Sequence, residues 1–159
     1  YGILYTGFML TEEGLKVVEF NCRFGDPEAE VILPRLESDL VDLLEPIADG
    51  KLCAAPRWSS RAATCVVMAA GGYPDKYEKG KLISGLEEAG KVADAIVFHA
   101  ATVKMRDGFH TNGGRVLSVT GLGDTLEKSV KKAYEAVEKI SWEGAHYRRD
   151  IASKAISRR

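Results

Sequence analysis

No apolar run in this chain is long enough to span a bilayer. Neither sign of charge dominates: 22 Lys and Arg stand against 23 Asp and Glu, a net charge of −1. That balance leaves no electrostatic footprint for nucleic acid or an anionic membrane. Cysteine is scarce. Cys22, Cys53 and Cys65 are odd in number and share no metal-ligand spacing, which excludes a disulfide framework and a zinc module. Reduced thiols in a cytoplasmic protein are expected, with Cys22 buried or incidental. The histidines, His99, His110 and His146, lie far apart in sequence and form no metal pattern, and no Ser-His-Asp or Cys-His arrangement can be built. The Gly-rich stretches lack Walker A order, which argues against a P-loop. There is no internal repeat. The N-terminus lacks the basic start of a signal peptide and begins as though inside a strand, so an upstream part of a larger protein is expected to be missing.

What remains is 159 residues, 45% hydrophobic and 28% charged, the profile of a globular protein of one ordinary domain or two small ones. Residues 3–10 and 15–21 read as a hairpin around Thr11-Glu12-Glu13-Gly14. On its second strand Val17, Glu19 and Asn21 alternate with Lys16, Val18 and Phe20, and Val18 and Phe20 should anchor the sheet to a core. A short helix from Pro27 should stop at Leu33, before Pro34. A second should start near Ser38-Asp39, break or kink at Pro46 and end at Gly50. Turn-like stretches in 51–61 suggest a boundary between residues 1–58 and 59–159. Beyond it, strands are expected over Ala62–Ala70, Lys81–Ile83, Ala95–Ala100 and Arg115–Thr120, with a hairpin at Arg106-Asp107-Gly108. Asp124 and Glu127 form a capping-box-like pair ahead of a helix whose face carries Leu126, Val130, Ala133, Tyr134, Val137 and Ile140. Glu127/Lys131 and Glu135/Lys139 are its expected ion pairs.

The most informative segment is Val17 to Glu28. Glu19 and Asn21 leave one side of a strand as a carboxylate and an amide oxygen, donors suited to Mg²⁺. The alternative is a solvated strand face. Arg23 follows, with a planar fork suited to two phosphoryl oxygens, or else to a surface salt bridge with Asp26 or Glu28. Gly25 lets the backbone approach a ligand closely. Asp26-Pro27 reads as a helix opening with Asp at the cap. A hard cation, a guanidinium and a helix start together suit polyphosphate chemistry.

Glu19 to Glu28, followed by Val31-Ile32-Leu33-Pro34, resembles the phosphoribosylamine–glycine ligase family of ATP-grasp enzymes. Further matches follow in order: Gly71-Gly72-Tyr73-Pro74, Tyr77-Glu78-Lys79-Gly80, Val97-Phe98-His99-Ala100, Asn112 to Leu117, and Tyr147 to Ile151. The resemblance implies an α+β chain. Residues 1–58 would be the end of the ATP-grasp domain, with antiparallel strands and helices. Residues 59–159 would be a small strand-rich domain with one long helix. It implies ATP-dependent joining of glycine to 5-phosphoribosylamine in purine biosynthesis, with Mg²⁺ or Mn²⁺, and an N-terminal part of the same enzyme that is absent here.

By resemblance, Glu19 and Asn21 hold the metal, Arg23 faces the transferring phosphoryl group, and Gly25 and Asp26 lie at the substrate. Asp26 either caps the helix or holds the ammonium of glycine or the amine of phosphoribosylamine. Asn112, Gly113, Gly114 and Arg115 either hold the ribose 5-phosphate or form an ordinary Asn-Gly hairpin turn. Lys104 is placed to reach the same phosphate. Two departures stand out. Tyr5-Thr6-Gly7-Phe8-Met9 lacks the acid many ATP-grasp enzymes carry on this strand, and Ala101 replaces a usual Gly. Rival readings are another ATP-grasp carboxylate–amine ligase, or a non-catalytic domain that binds a phosphorylated ligand or a partner.

Overall fold

The computed structural model describes residues 2–51 and 54–157; Cys53 lies outside them. The chain forms two compact units, residues 1–59 and 60–159.

In the first unit, β1 (Tyr5–Thr11) and β2 (Gly14–Asn21) form a two-stranded antiparallel sheet. The register shifts between Gly7 and Phe8: Gly7 pairs with Glu19, but Phe8 pairs with Val17, leaving Val18 as the extra residue of a bulge. Val17 therefore shares Phe8's side and does not continue the row of Glu19 and Asn21, as strict alternation had it. Val18 and Phe20 do not anchor a core. They are 63% and 65% exposed, and Phe8, Val17 and Leu10 are exposed too. Apolar side chains on both faces of this hairpin thus lack cover.

The turn after β2 holds a cis Asp26-Pro27 peptide, and α1 (Ala29–Ile32) starts two residues after Pro27, with Glu28 at its cap and no side-chain cap bond. The expected Asp26 cap on Pro27 is corrected accordingly. Pro34 does not stop the chain's coiling either. A 3₁₀ turn, Leu33–Arg35, accepts it in its first positions, where no N–H is needed. Helix α2 (Leu40–Ala48) is capped by Asp39, whose carboxylate accepts from the Val41 N–H at 2.7 Å, and it runs through Pro46 without stopping.

The second unit is a four-stranded antiparallel sheet, ordered β4 (Ala95–His99), β7 (Arg115–Gly123), β3 (Ala62–Ala69) and β8 (His146–Tyr147). One face carries Thr64, Val66, Met68, Leu117 and Val119, all buried, against α4 (Leu126–Val137). Gly121 and Gly123 let the helix approach: a Cβ on Gly121 would run into the Ser129 carbonyl and the Ala133 N–H. The buried Ser129 hydroxyl donates to the Leu126 carbonyl at 2.8 Å. With its one hydrogen so used, it accepts from the Thr64 hydroxyl at 2.7 Å.

Thr125, not Asp124, caps α4, accepting from the Lys128 N–H at 3.3 Å. Asp124 instead pairs with the Lys128 ammonium at 3.0 Å, and that cation holds its carboxyl below the usual range. Glu135 pairs with Lys132 at 3.0 Å, one turn before it, rather than with the expected Lys139, one turn after it. Tyr134 reaches the chain's end: its hydroxyl donates to the Arg148 carbonyl at 2.7 Å and accepts from the Ile151 N–H at 3.2 Å. Short elements complete the unit: α3 (Leu86–Gly90), the hairpin β5 (Thr102–Met105) and β6 (Gly108–Thr111), and α5 (Ser153–Ile156). Leu82 makes only an isolated bridge to His110.

Candidate functional site

The predicted residues fall into two groups, one in each unit. In the first, the β1–β2 register sets Glu19 opposite Gly7 and Asn21 opposite Tyr5, on one face of the hairpin. A Cβ at Gly7 would crowd the Glu19 Cγ at 3.2 Å, so glycine leaves that carboxylate room. The Glu28 carboxylate acts on the Tyr5 hydroxyl, and this interaction, with desolvation and the charge of Glu19, pushes the phenol above its ordinary value. Glu28 thus brings a second acid toward Glu19 and Asn21. No acid stands on β1; this one arrives from the cap of α1. The buried Gly25 makes it possible, because any Cβ there would overlap the Glu28 carboxylate.

Sequence reasoning treated Glu28 only as an ion-pair partner for Arg23. The exposed Arg23 guanidinium donates to the Phe24 carbonyl at 2.6 Å. Asp26 is exposed and lies two residues ahead of the Glu28 cap. One turn of helix is too short to offer the anion-binding N-terminus expected beside Arg23. Cys22 is exposed rather than buried, and neither it nor Cys65 is in a disulfide.

The donors on this face are oxygens only: two carboxylates, an amide and a phenol. Such a set fits Mg²⁺, which takes one or two carboxylates and completes its octahedron with phosphate oxygens and water. Among the described residues no group of three His, Cys, Asp or Glu could hold a metal alone, so those further ligands would be needed.

In the second unit, Asn112-Gly113-Gly114 is not a hairpin turn. β6 pairs with β5, while β7 pairs with β3 and β4, so the loop carries the chain from one sheet to another. Neither Gly113 nor Gly114 has a positive φ. Both are buried, Asn112 is exposed and Arg115 is half-buried at the start of β7. The Asn112 N–H donates to the Ala101 carbonyl at 2.8 Å, and the Ala101 N–H to the Arg115 carbonyl at 3.1 Å. Ala101 has no positive φ, so alanine is accommodated where the family usually has glycine. Lys104 is exposed on β5, with its ammonium 5.8 Å from the Phe109 ring centre. His99 is exposed at the end of β4, with its Nδ1 2.9 Å from the Thr102 hydroxyl and its ring against Phe109.

A surface cavity of about 350 Å³ in this unit contains none of these residues. Three of its cations are paired with acids, Arg61 with Asp94, Lys128 with Asp124 and Lys132 with Glu135, and Lys131 lines it as well.

The fold is shared with a protein of low sequence identity. N5-carboxyaminoimidazole ribonucleotide synthetase from Thermotoga maritima superposes with a TM-score of 0.63 over 89% of this chain and 37% of that one, at 15% identity. Closer relations are specific. Residues 63–154 match the model of the phosphoribosylglycinamide synthetase C domain, and residues 1–29 match that of the same synthetase's ATP-grasp (A) domain. The chain belongs to the phosphoribosylglycinamide synthetase family. It is 48% identical to phosphoribosylamine–glycine ligase of Rhodopirellula baltica, over 98% of this chain and 36% of that protein. It is 51% identical to the ligase of that name from Neisseria meningitidis serogroup A, over 99% of this chain and 37% of that protein. The crystal structure of the Thermotoga maritima phosphoribosylamine–glycine ligase matches with a TM-score of 0.78 and 38% identity, over 92% of this chain and 36% of that one. The chain thus spans little more than a third of the length of these relatives.

Proposed function

We propose that this chain is the C-terminal section of a phosphoribosylamine–glycine ligase of purine biosynthesis. Residues 1–58 are the end of its ATP-grasp domain and residues 59–159 its C-terminal domain, in a cytoplasmic enzyme. The observation that carries this reading is the identity of about half the residues over nearly the whole chain to ligases of that name. The bare apolar faces of the β1–β2 hairpin support it independently, because a two-stranded sheet with uncovered faces needs more protein to be stable.

The reaction has two steps. A carboxylate oxygen of glycine attacks the γ-phosphorus of ATP, ADP leaves, and glycyl phosphate forms. The amine of 5-phosphoribosylamine attacks the glycyl carbonyl, phosphate leaves, and the nitrogen loses a proton. Positioning and charge stabilisation carry both steps. Glu19 and Asn21 would hold the Mg²⁺ or Mn²⁺, with Glu28 beside them, and a cation held there would supply neutralisation of phosphate charge. Arg23 turns from the Phe24 carbonyl to the transferring phosphoryl oxygens. Asp26, with Gly25 behind it, receives an ammonium or amine of the substrates. Asn112, Gly113, Gly114 and Arg115, with Lys104, hold the ribose 5-phosphate.

The adenine pocket is assigned to the upstream part that the relatives have, so residues 1–159 alone should release no ADP from ATP with glycine and phosphoribosylamine present. Joined to that part, the chain should give ADP release that requires both. Turnover by the chain alone, dependent on both substrates, would contradict this reading.

A further inference from the structure

The segment Gly71 to Gly80 has no role in the reaction described above, yet it is tied to the Asn112–Gly114 loop along its length. At one end the Ala70 N–H donates to the Gly114 carbonyl at 2.8 Å. At the other, the Gly80 N–H donates to the Thr111 carbonyl at 2.7 Å, and the Thr111 N–H to the Lys81 carbonyl at 2.9 Å. Between these ends the Tyr73 ring lies directly on Gly114: a Cβ there would overlap Tyr73 Cδ2 and come within 3.1 Å of Tyr77 Cε1. The two tyrosine rings sit 6.2 Å apart, tilted at 56°. Gly72, at φ +92°, turns the chain so that Tyr73 can reach. On the loop's opposite side, a Cβ on Gly113 would stand 2.6 Å from the Ala101 methyl. The loop is therefore held between an aromatic ring and a methyl group, with glycine at both points of contact.

The loop's backbone bonds use the Thr111 N–H and carbonyl, the Asn112 N–H, and the Gly114 and Arg115 carbonyls. The Gly113 and Gly114 N–H groups are not among them. We propose that Tyr73 is a positioning residue for the sugar phosphate. Its ring fixes Gly114, and so aims the Gly113 and Gly114 N–H groups and the adjoining Arg115 at one phosphate. This rests on the assignment of residues 112–115 to the ribose 5-phosphate. A loop ordered before binding spares the ligand the cost of ordering it. The ring is what matters, so the hydroxyl should be dispensable.

The test uses a ligase of full family length ending in this chain. Tyr73→Ala should raise the KM for phosphoribosylamine about tenfold and leave those for glycine and ATP within about twofold, and Tyr73→Phe should restore the first. Gly114→Ala, which drives the ring off from the other side, should give the same selective rise if Tyr73→Ala fails to fold. An unchanged phosphoribosylamine KM in Tyr73→Ala, or an equal rise in all three constants, overturns the proposal. Arg115→Ala tests the underlying assignment separately. If it leaves the phosphoribosylamine KM unchanged, the loop is not the phosphate site and the role given to Tyr73 in substrate binding falls with it. Amide exchange at Gly113 and Gly114 in Tyr73→Ala then still decides whether the ring holds the loop, since unaltered exchange overturns that part too.

Discussion

Tyr5 lies within reach of the Glu28 carboxylate across the turn that follows β2, twenty-three residues along the chain, and Glu28 is the largest influence on its phenol. This contact brings the cap of α1 to the face that carries Glu19 and Asn21. It joins three elements of the proposed metal site: the first strand through Tyr5, the second through Glu19 and Asn21, and the helix through Glu28.

The contact can be read by titration. The Glu28 carboxylate favours the neutral phenol, so the Tyr5 pKa lies above its ordinary value of 10.0. The contribution to stability is fully present below that unfolded-state value and is lost as pH rises through the higher folded-state one. Glu28→Gln removes the acceptor's charge. Following the Tyr5 ring carbons by NMR through alkaline pH, the variant should titrate lower than the parent chain. Identical curves would mean that Glu28 does not govern Tyr5.

Packing in the second unit gives a sharper number. Gly121→Ala places a methyl group against the backbone of α4, where Ser129 and Ala133 sit. The helix must move off the sheet, at a cost of about 1–3 kcal/mol, the usual range for overpacking a tight core. Urea denaturation of residues 60–159 within the full chain should show the lower midpoint. An unchanged midpoint would show that α4 does not approach β7 so closely.

Much of this architecture was legible in the sequence, and the failures have physical causes. Short, largely apolar runs bounded by turn residues located β3, β4 and β7, because each lies against a core. The apolar stripe of α4 was equally clear, but its cap was misassigned because Asp124 and Thr125 are both good caps and lie side by side. α3, β8 and α5, at five, two and four residues, are too short to carry any period. Val18 and Phe20 were read as core because an alternating pattern says that a face requires cover, without saying what supplies it. Asn112-Gly113-Gly114 carries the residues of a hairpin turn, and only the pairing of β6 with β5 and of β7 with β3 reveals a crossing between sheets. Glu19 and Asn21 are proposed from their spacing on one strand and Gly25 from the loop that follows. Glu28 and Tyr73 drew no such attention because their contacts are with Tyr5 and Gly114, distant in sequence and invisible to local pattern.

The central claim concerns Glu19 and the cation it would hold. The most direct measurement is ADP formation by a ligase of full family length ending in this chain, with saturating ATP, glycine and phosphoribosylamine, across a Mg²⁺ titration. Glu19→Gln should lower kcat about 100-fold or more, the scale on which removing one group that stabilises transition-state charge is felt, and should shift half-saturation to higher Mg²⁺. A Glu19→Gln enzyme with parental kcat and an unshifted Mg²⁺ dependence would contradict the account.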